Sequence, residues 1–329
     1  MGASAPLIAI DDAPVPASGQ AEWFTGGDGA RLRAALFSAA GPVRGGVVLS
    51  PGRTEPIEKH FETVRDLQAR GFAVLVHDWR GQGLSHRLLP DRLRGHAAGF
   101  DDFLNDHRAL LDAFADRLHR PWIALGHSMG GALALLAIVR GEDRFAAAAL
   151  SAPMLGVFTA GASPGVARLV AGLMGVLGAA GGYALRGRHP ADLPFAGNAL
   201  THDQVRFDRW QAQLRAGPDL ALGGPTWGWL DFALKVSAEI AAPGALEQVR
   251  IPVLLACAGE ERLVINAASR AAAARLPRAT LLEIRGSRHE ILMETDAVRQ
   301  RFWTAFDALA DVALEQDTPG AVAAAGSPA

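Results

Sequence analysis

A single cysteine, Cys257, occurs among the 329 residues of this chain, so no intramolecular disulfide can form. It lies in the apolar run 253–257, which is typical of a buried strand. The ten histidines show no spacing that would suit a metal ion, and neither a CxxC nor an HExxH pattern occurs. We therefore predict a protein that uses no metal and no other cofactor.

An excess of charge of one sign is also missing. Lys and Arg number 32 and Asp and Glu number 34, which gives a formal net charge of −2 at pH 7. Without a broad basic surface, the composition argues against nucleic acid as a partner, and no obligate protein partner is indicated. The first twenty residues lack a basic start followed by an apolar core, so we expect no signal peptide and a cytoplasmic location.

Long hydrophobic runs are scarce as well. Residues 169–185 form a stretch of 17 residues without charge, which is at the short edge of the length needed to span a membrane, and five of them are glycine. We interpret this stretch as a helix rich in small residues that either packs closely on its neighbour or touches a membrane face. We therefore expect at most a peripheral contact with the inner membrane.

Apolar runs that alternate with amphipathic stretches organise much of the chain. The short runs 46–50, 72–77 and 122–125 are typical of buried strands, whereas 57–70 and 101–118 carry the apolar spacing of helices. Strands that alternate with helices predict a mostly parallel sheet with helices on both faces. The predicted fold class is therefore α/β.

The alternation breaks where Gly, Ala, Trp and Leu become frequent. We predict that residues 155–247 form a helical cap inserted into a core made of residues 20–154 and 248–314. Residues 1–19 are predicted to be a flexible lead. Residues 315–329 are rich in Ala, Gly and Pro and are predicted to be a disordered tail.

A candidate nucleophile follows the predicted strand 122–125, in the run Gly126-His127-Ser128-Met129-Gly130-Gly131. A serine hydroxyl is a poor nucleophile unless it has an adjacent base and is presented clear of its own strand and helix. Glycines two residues away on each side permit such a turn, because larger side chains would collide there. The pattern predicts that Ser128 is the nucleophile of a hydrolase, the alternative being a glycine turn with an inert serine.

A base and an acid should lie on loops after later strands, in the chain order serine, acid, histidine. His289 follows the last predicted strand, where the base is expected. The loop after the preceding strand holds Glu260 and Glu261 and no aspartate. From the residues alone, the two glutamates are nearly equally good candidates for the acid that orients the histidine. Asp231 and Asp296 lie outside that loop and are weaker candidates.

Acyl transfer also needs backbone N–H groups that point at the developing oxyanion. One should come from Met129, the residue after the nucleophile, and the other from the loop 50–55. In that loop Gly52 allows a close backbone approach, so the amide of Arg53 is the second predicted donor. A plain Pro-Gly turn is the alternative interpretation.

Several segments, in order along the chain, carry a resemblance to a known family. They are residues 49–55, 78–85, 126–131, 259–264 and 288–292 of the core and residues 201–203, 206–207 and 223–227 of the cap. With these segments the chain resembles the α/β-hydrolases, and more narrowly the bacterial lysophospholipase and monoacylglycerol lipase group.

The resemblance implies a triad of Ser128, Glu261 and His289, with the amides of Arg53 and Met129 as the oxyanion hole. It selects Glu261 over the neighbouring glutamate because the acid in these families precedes an Arg-(Leu/Val/Ile)-Val type of stretch. Many monoacylglycerol lipases have aspartate at the acid position and His-Gly in place of Pro-Gly in the loop 50–55. Both departures favour the lysophospholipase branch.

The resemblance also implies the reaction, which is cleavage of a lysophospholipid or monoacylglycerol ester through an acyl-enzyme. The cap residues Leu155, Trp227 and Phe232, together with Phe158 and Trp229, are predicted to form an apolar acyl pocket, although they equally suit the core of the cap. Two alternatives stay open. One is an acyltransferase in which another alcohol replaces water, and the other is a non-catalytic ligand-binding protein on a hydrolase scaffold.

Overall fold

The computed structural model describes residues 2–159, 161–185 and 189–316, and its eight strands form one sheet. The strands are β1 (Gln20–Thr25), β2 (Arg31–Phe37), β3 (Gly45–Ser50), β4 (Phe72–His77), β5 (Trp122–His127), β6 (Phe145–Ser151), β7 (Val253–Ala258) and β8 (Ala279–Ile284). Their order in the sheet is β1-β2-β4-β3-β5-β6-β7-β8. The pairs β1–β2 and β2–β4 are antiparallel and the other pairs are parallel, so the predicted mostly parallel sheet is confirmed.

Helices cover both faces of this sheet. They are α1 (Phe61–Ala69), α2 (Asp101–Phe114), α3 (Ser128–Val139), α4 (Pro164–Val176), α5 (Gln204–Ala216), α6 (Trp227–Ala241), α7 (Asn266–Arg275) and α8 (Asp296–Gln316). Successive side chains of a strand point to opposite faces. Val47 and Leu49 accordingly pack with residues of α1 and α8, and Val48 packs with residues of α2, α3 and α6. Both faces are therefore buried, as the continuous apolar runs of the sequence predict.

The parallel strands bring the ends of β3, β5, β7 and β8 to one edge of the sheet. In open α/β sheets this carboxyl edge is where ligands bind. The loops that leave it hold each residue that the sequence predicts for the chemistry. They include residues 50–55 after β3, which we call the oxyanion loop because the sequence predicts an oxyanion donor there. Cys257 lies inside β7 and is buried, as predicted.

The chain between β6 and β7 contains helices and no strand in its described part, as expected for the predicted cap at 155–247. This range includes α6, which contacts α3, and the buried residues Phe232, Val236 and Ile240 of α6 belong to the main core cluster. The last helix of the predicted insertion is therefore packed into the core.

The N-terminal segment differs from the predicted flexible lead, because its described part, residues 2–19, packs against the core. The Ala5 N–H donates to the Ala21 carbonyl at 2.9 Å, and Ala13 is only 2% exposed. β1 is an edge strand with unpaired backbone groups, and this segment satisfies some of them. Of the predicted disordered tail, Glu315 and Gln316 end α8 and the rest lies outside the described residues.

Candidate active site

Ser128 stands at the tight turn between β5 and α3. Its φ of 49° lies in the left-handed region, which residues other than glycine rarely adopt and which marks many functional sites. A Cβ atom on Gly126 would lie 2.6 Å from the Gly131 Cα, and one on Gly130 would overlap the carbonyl oxygen of Ser50. The turn therefore requires glycine on both sides of the serine, as the sequence predicts.

Hydrogen bonds link this serine to a histidine and a glutamate from two other loops. The Nε2 atom of His289 lies 2.9 Å from the Ser128 Oγ, and its Nδ1 lies 2.8 Å from the Glu261 Oε2. When Nδ1 carries the proton and donates a hydrogen bond to the carboxylate, Nε2 is unprotonated and accepts a hydrogen bond from the serine hydroxyl. All three side chains are buried, so little water competes for these bonds.

The Glu261 carboxylate is fixed by its own loop as well as by the histidine. Its Oε1 accepts the backbone N–H groups of Arg262, Leu263 and Val264 at 2.9, 2.8 and 3.3 Å. Burial favours the neutral acid, but the hydrogen bond and the charge of His289, with the backbone donors, hold the pKa of Glu261 below its ordinary value. The carboxylate is thus ionised at neutral pH.

Glu260, the other glutamate of this loop, points elsewhere. Its side chain is 47% exposed, and its Oε2 lies 3.2 Å from the Nε2 of His202 in the insertion. The structure therefore brings Glu261 to His289 and leaves Glu260 at the boundary between core and insertion. Asp231 pairs with Lys235 within α6, and Asp296 pairs with Arg206, so neither weaker candidate reaches the site.

The loop after β3 lies against the serine turn. A Cβ atom on Gly52 would come within 2.8 Å of the His127 ring, so glycine permits the close approach. The backbone N–H of Arg53 has no hydrogen-bond partner among the described residues, and Met129 lies in the first turn of α3. These are the two amides that the sequence predicts for an oxyanion hole, and the segments that carry them meet beside Ser128.

Two residues that the sequence analysis missed hold this oxyanion loop in place. The Gly52 N–H donates to Glu55 Oε2 at 2.6 Å, and the Thr54 N–H donates to Gln82 Oε1 at 2.6 Å. Thr54 has a φ of 68°, a strained value that such a clamp stabilises. The Gln82 Nε2 also lies 3.9 Å from the Met129 Sδ, so one side chain contacts both oxyanion segments.

A buried group of charges lies beneath the loop. The Lys59 Nζ lies 3.1 Å from Glu55 Oε1 and 2.5 Å from Glu290 Oε1, and Glu290 directly follows the histidine of the site. Burial lowers the pKa of Lys59, but the two carboxylates outweigh it and raise the pKa above its ordinary value. Lys59 therefore joins the oxyanion loop to the histidine loop.

A cavity of about 830 Å³ opens onto Ser128 and His289. Apolar side chains dominate its wall, among them Phe158, Val170, Leu200, Trp210, Trp227 and Trp229. The volume lies within the range of about 300–1,000 Å³ that small-molecule sites occupy. Its walls come mostly from the range 155–247 that is predicted to be a cap.

The predicted pocket residues divide between this cavity and the core. Trp227 lines the cavity, but Leu155 and Phe232 do not, and that part of the prediction is corrected. Both belong to the main core cluster, and the ring centroid of Phe232 lies 4.7 Å from that of Phe103. Apolar residues that pack into the core and apolar residues that line a ligand site have the same spacing along a helix. The sequence could therefore not distinguish the core residues from the pocket residues.

One side of α4 exposes apolar residues beside the cavity. The side chains of Leu169, Leu173 and Val176 are 72%, 53% and 86% exposed, and Val170 of the same helix lines the cavity. The buried residues of α4 are Ala167 and Ala171, and the helix contacts α6, as the small-residue interpretation predicts. Within the described ranges, no helix combines the length and the apolar character needed to cross a membrane.

The chain is similar in sequence to several known proteins. The family model for serine aminopeptidase, S33, matches residues 41–296. Lysophospholipase L2 of Escherichia coli (strain K12) is 35% identical over 308 residues, which cover 90% of this chain and 88% of that protein. Probable lysophospholipase L2 of Haemophilus influenzae is 29% identical over 269 residues, which cover 80% of this chain and 83% of that protein.

Solved structures share the fold. A soluble variant of monoglyceride lipase from Saccharomyces cerevisiae, in complex with a substrate analog, aligns with a TM-score of 0.70 at 19% identity and covers 89% of this chain and 96% of that one. A thermostable carboxyl esterase from Bacillus coagulans, in complex with glycerol, also aligns with a TM-score of 0.70, at 16% identity over 90% of this chain and 99% of that one. The architecture is that of the α/β-hydrolases.

Proposed function

The chain belongs to the serine aminopeptidase (S33) family of hydrolases, and from that premise we propose that it is a carboxylic ester hydrolase that cleaves lipid esters through an acyl-enzyme on Ser128. The observation that carries the proposal is the series of hydrogen bonds Ser128–His289–Glu261 at the floor of an apolar cavity. The relatives named lysophospholipase L2 support lysophospholipids as the first substrate class. A relative named monoacylglycerol lipase supports monoacylglycerols as the second.

In the first half of the reaction, the Ser128 Oγ attacks the ester carbonyl carbon while His289 Nε2 accepts the hydroxyl proton. The Glu261 carboxylate holds the imidazole in place and stabilises the imidazolium that forms. Negative charge develops on the carbonyl oxygen, and the amides of Arg53 and Met129 are the donors that stabilise it. When the tetrahedral intermediate collapses, His289 gives its proton to the leaving alcohol, and the acyl group stays on Ser128.

In the second half, water enters and the same groups act again. His289 removes a proton from water as the water oxygen attacks the acyl carbonyl, and the two amides again stabilise the oxyanion. The intermediate collapses with protonation of the Ser128 Oγ, which releases the fatty acid and regenerates the enzyme. The apolar walls of the cavity suit the acyl chain, whose burial supplies binding free energy in proportion to its area.

Contact with a lipid surface through the insertion is the second part of the proposal. The exposed apolar residues of α4 lie on the same helix as residues that line the cavity, so a bilayer against α4 would present its lipids close to the opening. Apolar helix faces bind the membrane interface in proportion to the area that they bury. The cytoplasmic location stays a prediction of the sequence.

The decisive experiment measures hydrolysis across short esters, monoacylglycerols and lysophospholipids, with wild type, Ser128→Ala and Ser4→Ala. Ser4 is an exposed serine of the N-terminal segment and serves as the control. We expect Ser128→Ala to lose more than about a thousandfold in kcat, and to lose labelling by a fluorophosphonate, while its thermal unfolding stays cooperative. Retained turnover in that variant, or labelling at another residue, would overturn the mechanism.

A further inference from the structure

Arg53 of the oxyanion loop is one of the residues that line the cavity. One of its terminal nitrogens, Nη2, donates to the Gly223 carbonyl oxygen, and its Cζ lies 5.2 Å from the centroid of the Trp229 ring. Gly95 allows this packing, because a Cβ atom there would overlap Nη2. The guanidinium is therefore held in a defined place between the core and the wall formed by the insertion.

This guanidinium is a cation in the cavity wall, and the Tyr183 side chain interacts with it electrostatically. Its Nε is buried without a hydrogen-bond partner, and no carboxylate in the described ranges pairs with it. The wall also contains Glu290, but the Nζ of Lys59 lies 2.5 Å from that carboxylate and balances its charge. An arginine carries five N–H donors, and the bond to Gly223 is the one that Arg53 makes among the described residues, so its other donors have no described partner.

A buried cation without a counter-ion is unfavourable, because it has lost hydration and gained no partner. Burial lowers the pKa of Arg53 to about 10, which still leaves the group charged at neutral pH. The wall also holds the amide of Gln211, which is 4% exposed and has no hydrogen-bond partner on either polar atom within the described residues. A guanidinium without a described carboxylate partner and an unpartnered amide, in a mostly apolar cavity, point to a ligand with a polar, anionic part.

We propose that Arg53 binds the phosphate of a lysophospholipid and thereby selects phosphate-bearing lipids over monoacylglycerols. The inference rests on the proposed function and adds to it the recognition of the headgroup. Guanidinium and phosphate form paired, charge-assisted hydrogen bonds, which a neutral glycerol hydroxyl does not match. In the lipid, a short glycerol backbone joins the ester to the phosphate. In the protein, the arginine side chain itself joins the oxyanion amide of Arg53 to its guanidinium.

The test compares lysophosphatidylcholine and monoacylglycerol with the same short acyl chain, both below their critical micelle concentrations. The quantity measured is kcat/KM for lysophosphatidylcholine divided by kcat/KM for monoacylglycerol. An effect on the oxyanion loop that lowers both values equally cancels in this ratio. Arg53→Met removes the charge, Arg53→Lys keeps it without the planar fork, and Gly95→Ala displaces the guanidinium without removing it. Arg250→Met is the control for net charge. Arg250 is exposed just before β7, so it lies at the amino ends of the parallel strands, whereas the site lies at their carboxyl ends.

In Arg53→Met we expect the ratio to fall by about tenfold to a hundredfold, in line with the loss of charged hydrogen bonds. Arg53→Lys and Gly95→Ala should lower it less, and Arg250→Met should leave it within about twofold. An unchanged ratio in Arg53→Met, or an equal fall in Arg250→Met, would refute the phosphate site. Lysophosphatidylcholine and monoacylglycerol rates that fall together would assign Arg53 to the oxyanion loop alone and would equally refute it.

A calorimetric arm separates this inference from the proposed function. Glycerophosphocholine, the headgroup without its acyl chain, should bind the wild-type protein more tightly than Arg53→Met does, and inorganic phosphate should bind more weakly than glycerophosphocholine. If the wild type hydrolyses neither lipid, the proposed function fails while calorimetry still tests the site. Binding of inorganic phosphate as tight as that of glycerophosphocholine would identify a site for free anions and overturn the proposal.

Discussion

Replacing Glu55 by glutamine would remove one negative charge from the buried group beneath the oxyanion loop while keeping the shape of the side chain. Its carboxylate accepts the Gly52 N–H at 2.6 Å and lies 3.1 Å from the Lys59 Nζ and 3.3 Å from the His60 Nε2. A glutamine offers one acceptor oxygen, so its NH₂ group would face a donor. Gly52 and Lys59 could not both keep their partner.

The structure sets the expected size of the effect. Removing one partner of a buried ion pair costs about 3–5 kcal/mol, and Lys59 keeps Glu290, so we expect a loss of about 3 kcal/mol in the free energy of unfolding. Complete loss of one oxyanion donor costs about 2.7–4 kcal/mol in activation free energy. Because Glu55→Gln loosens the Arg53 amide without deleting it, we expect kcat to fall by about tenfold to a hundredfold.

Urea unfolding and ester kinetics measure the two effects, with Glu283→Gln as the matched control. Glu283 pairs with Arg270 at the surface, where both side chains are about half exposed, so its loss should cost less than about 1 kcal/mol. If Glu55→Gln matched the control in both unfolding free energy and kcat, the loop would not depend on this carboxylate and the reasoning would be refuted.

Three further predictions concern the acid, the insertion and the membrane. Glu261→Gln should lower kcat by about a thousandfold or more, whereas Glu260→Gln should change it less than about threefold, and the reverse order would identify the other glutamate as the acid. Glu62 accepts hydrogen bonds from Arg206 of α5, which with other arginines hold its pKa at about 2. The stabilisation that ionised Glu62 gives the folded protein is therefore complete above pH 4.5 and is lost as the pH falls towards 2. The difference in unfolding free energy between wild type and Glu62→Gln should shrink over that interval. Leu173→Glu should weaken sedimentation with lipid vesicles, and binding equal to wild type would refute contact through α4.

Each of these measurements has a matched control. Glu283→Gln serves for Glu62→Gln, since it is the same substitution in a half-exposed ion pair, and a pH dependence shared by both would show a general effect of charge. For the vesicle assay the control is Leu281→Glu, because Leu281 is 38% exposed on the edge strand β8, away from the insertion. If Leu281→Glu lowered vesicle binding as much as Leu173→Glu, added negative charge would be the cause.

The sheet and the positions of Ser128 and His289 could be predicted because local sequence determines them. Buried parallel strands give continuous apolar runs, and the ends of such runs meet at one edge. The choice between Glu260 and Glu261 depends on a loop conformation in which three backbone N–H groups turn one carboxylate inward. Residue type does not encode that turn, so only the resemblance to a family separated the two.

Other features depend on partners that are distant in the chain. Glu55 and Lys59 belong to a charged segment that would ordinarily be solvated, and it is buried because Glu290, 231 residues after Lys59, supplies a counter-charge. The N-terminal residues have a composition typical of flexible segments, and they are ordered by the free edge of β1. In both cases the stabilising contact is made by a residue that no local pattern identifies.

Under the two proposals, position 53 would serve the chemistry through its backbone and recognition through its side chain. Every amino acid except proline carries a backbone N–H of the kind that we propose Arg53 offers the oxyanion, so mutation at position 53 can change the side chain and keep the donor. A lineage of such enzymes could therefore acquire a new headgroup preference by a single substitution beside the nucleophile, without passing through an inactive ancestor. The same position is a direct target for laboratory evolution of lipid selectivity, provided that the clamp formed by Glu55 and Gln82 is left intact.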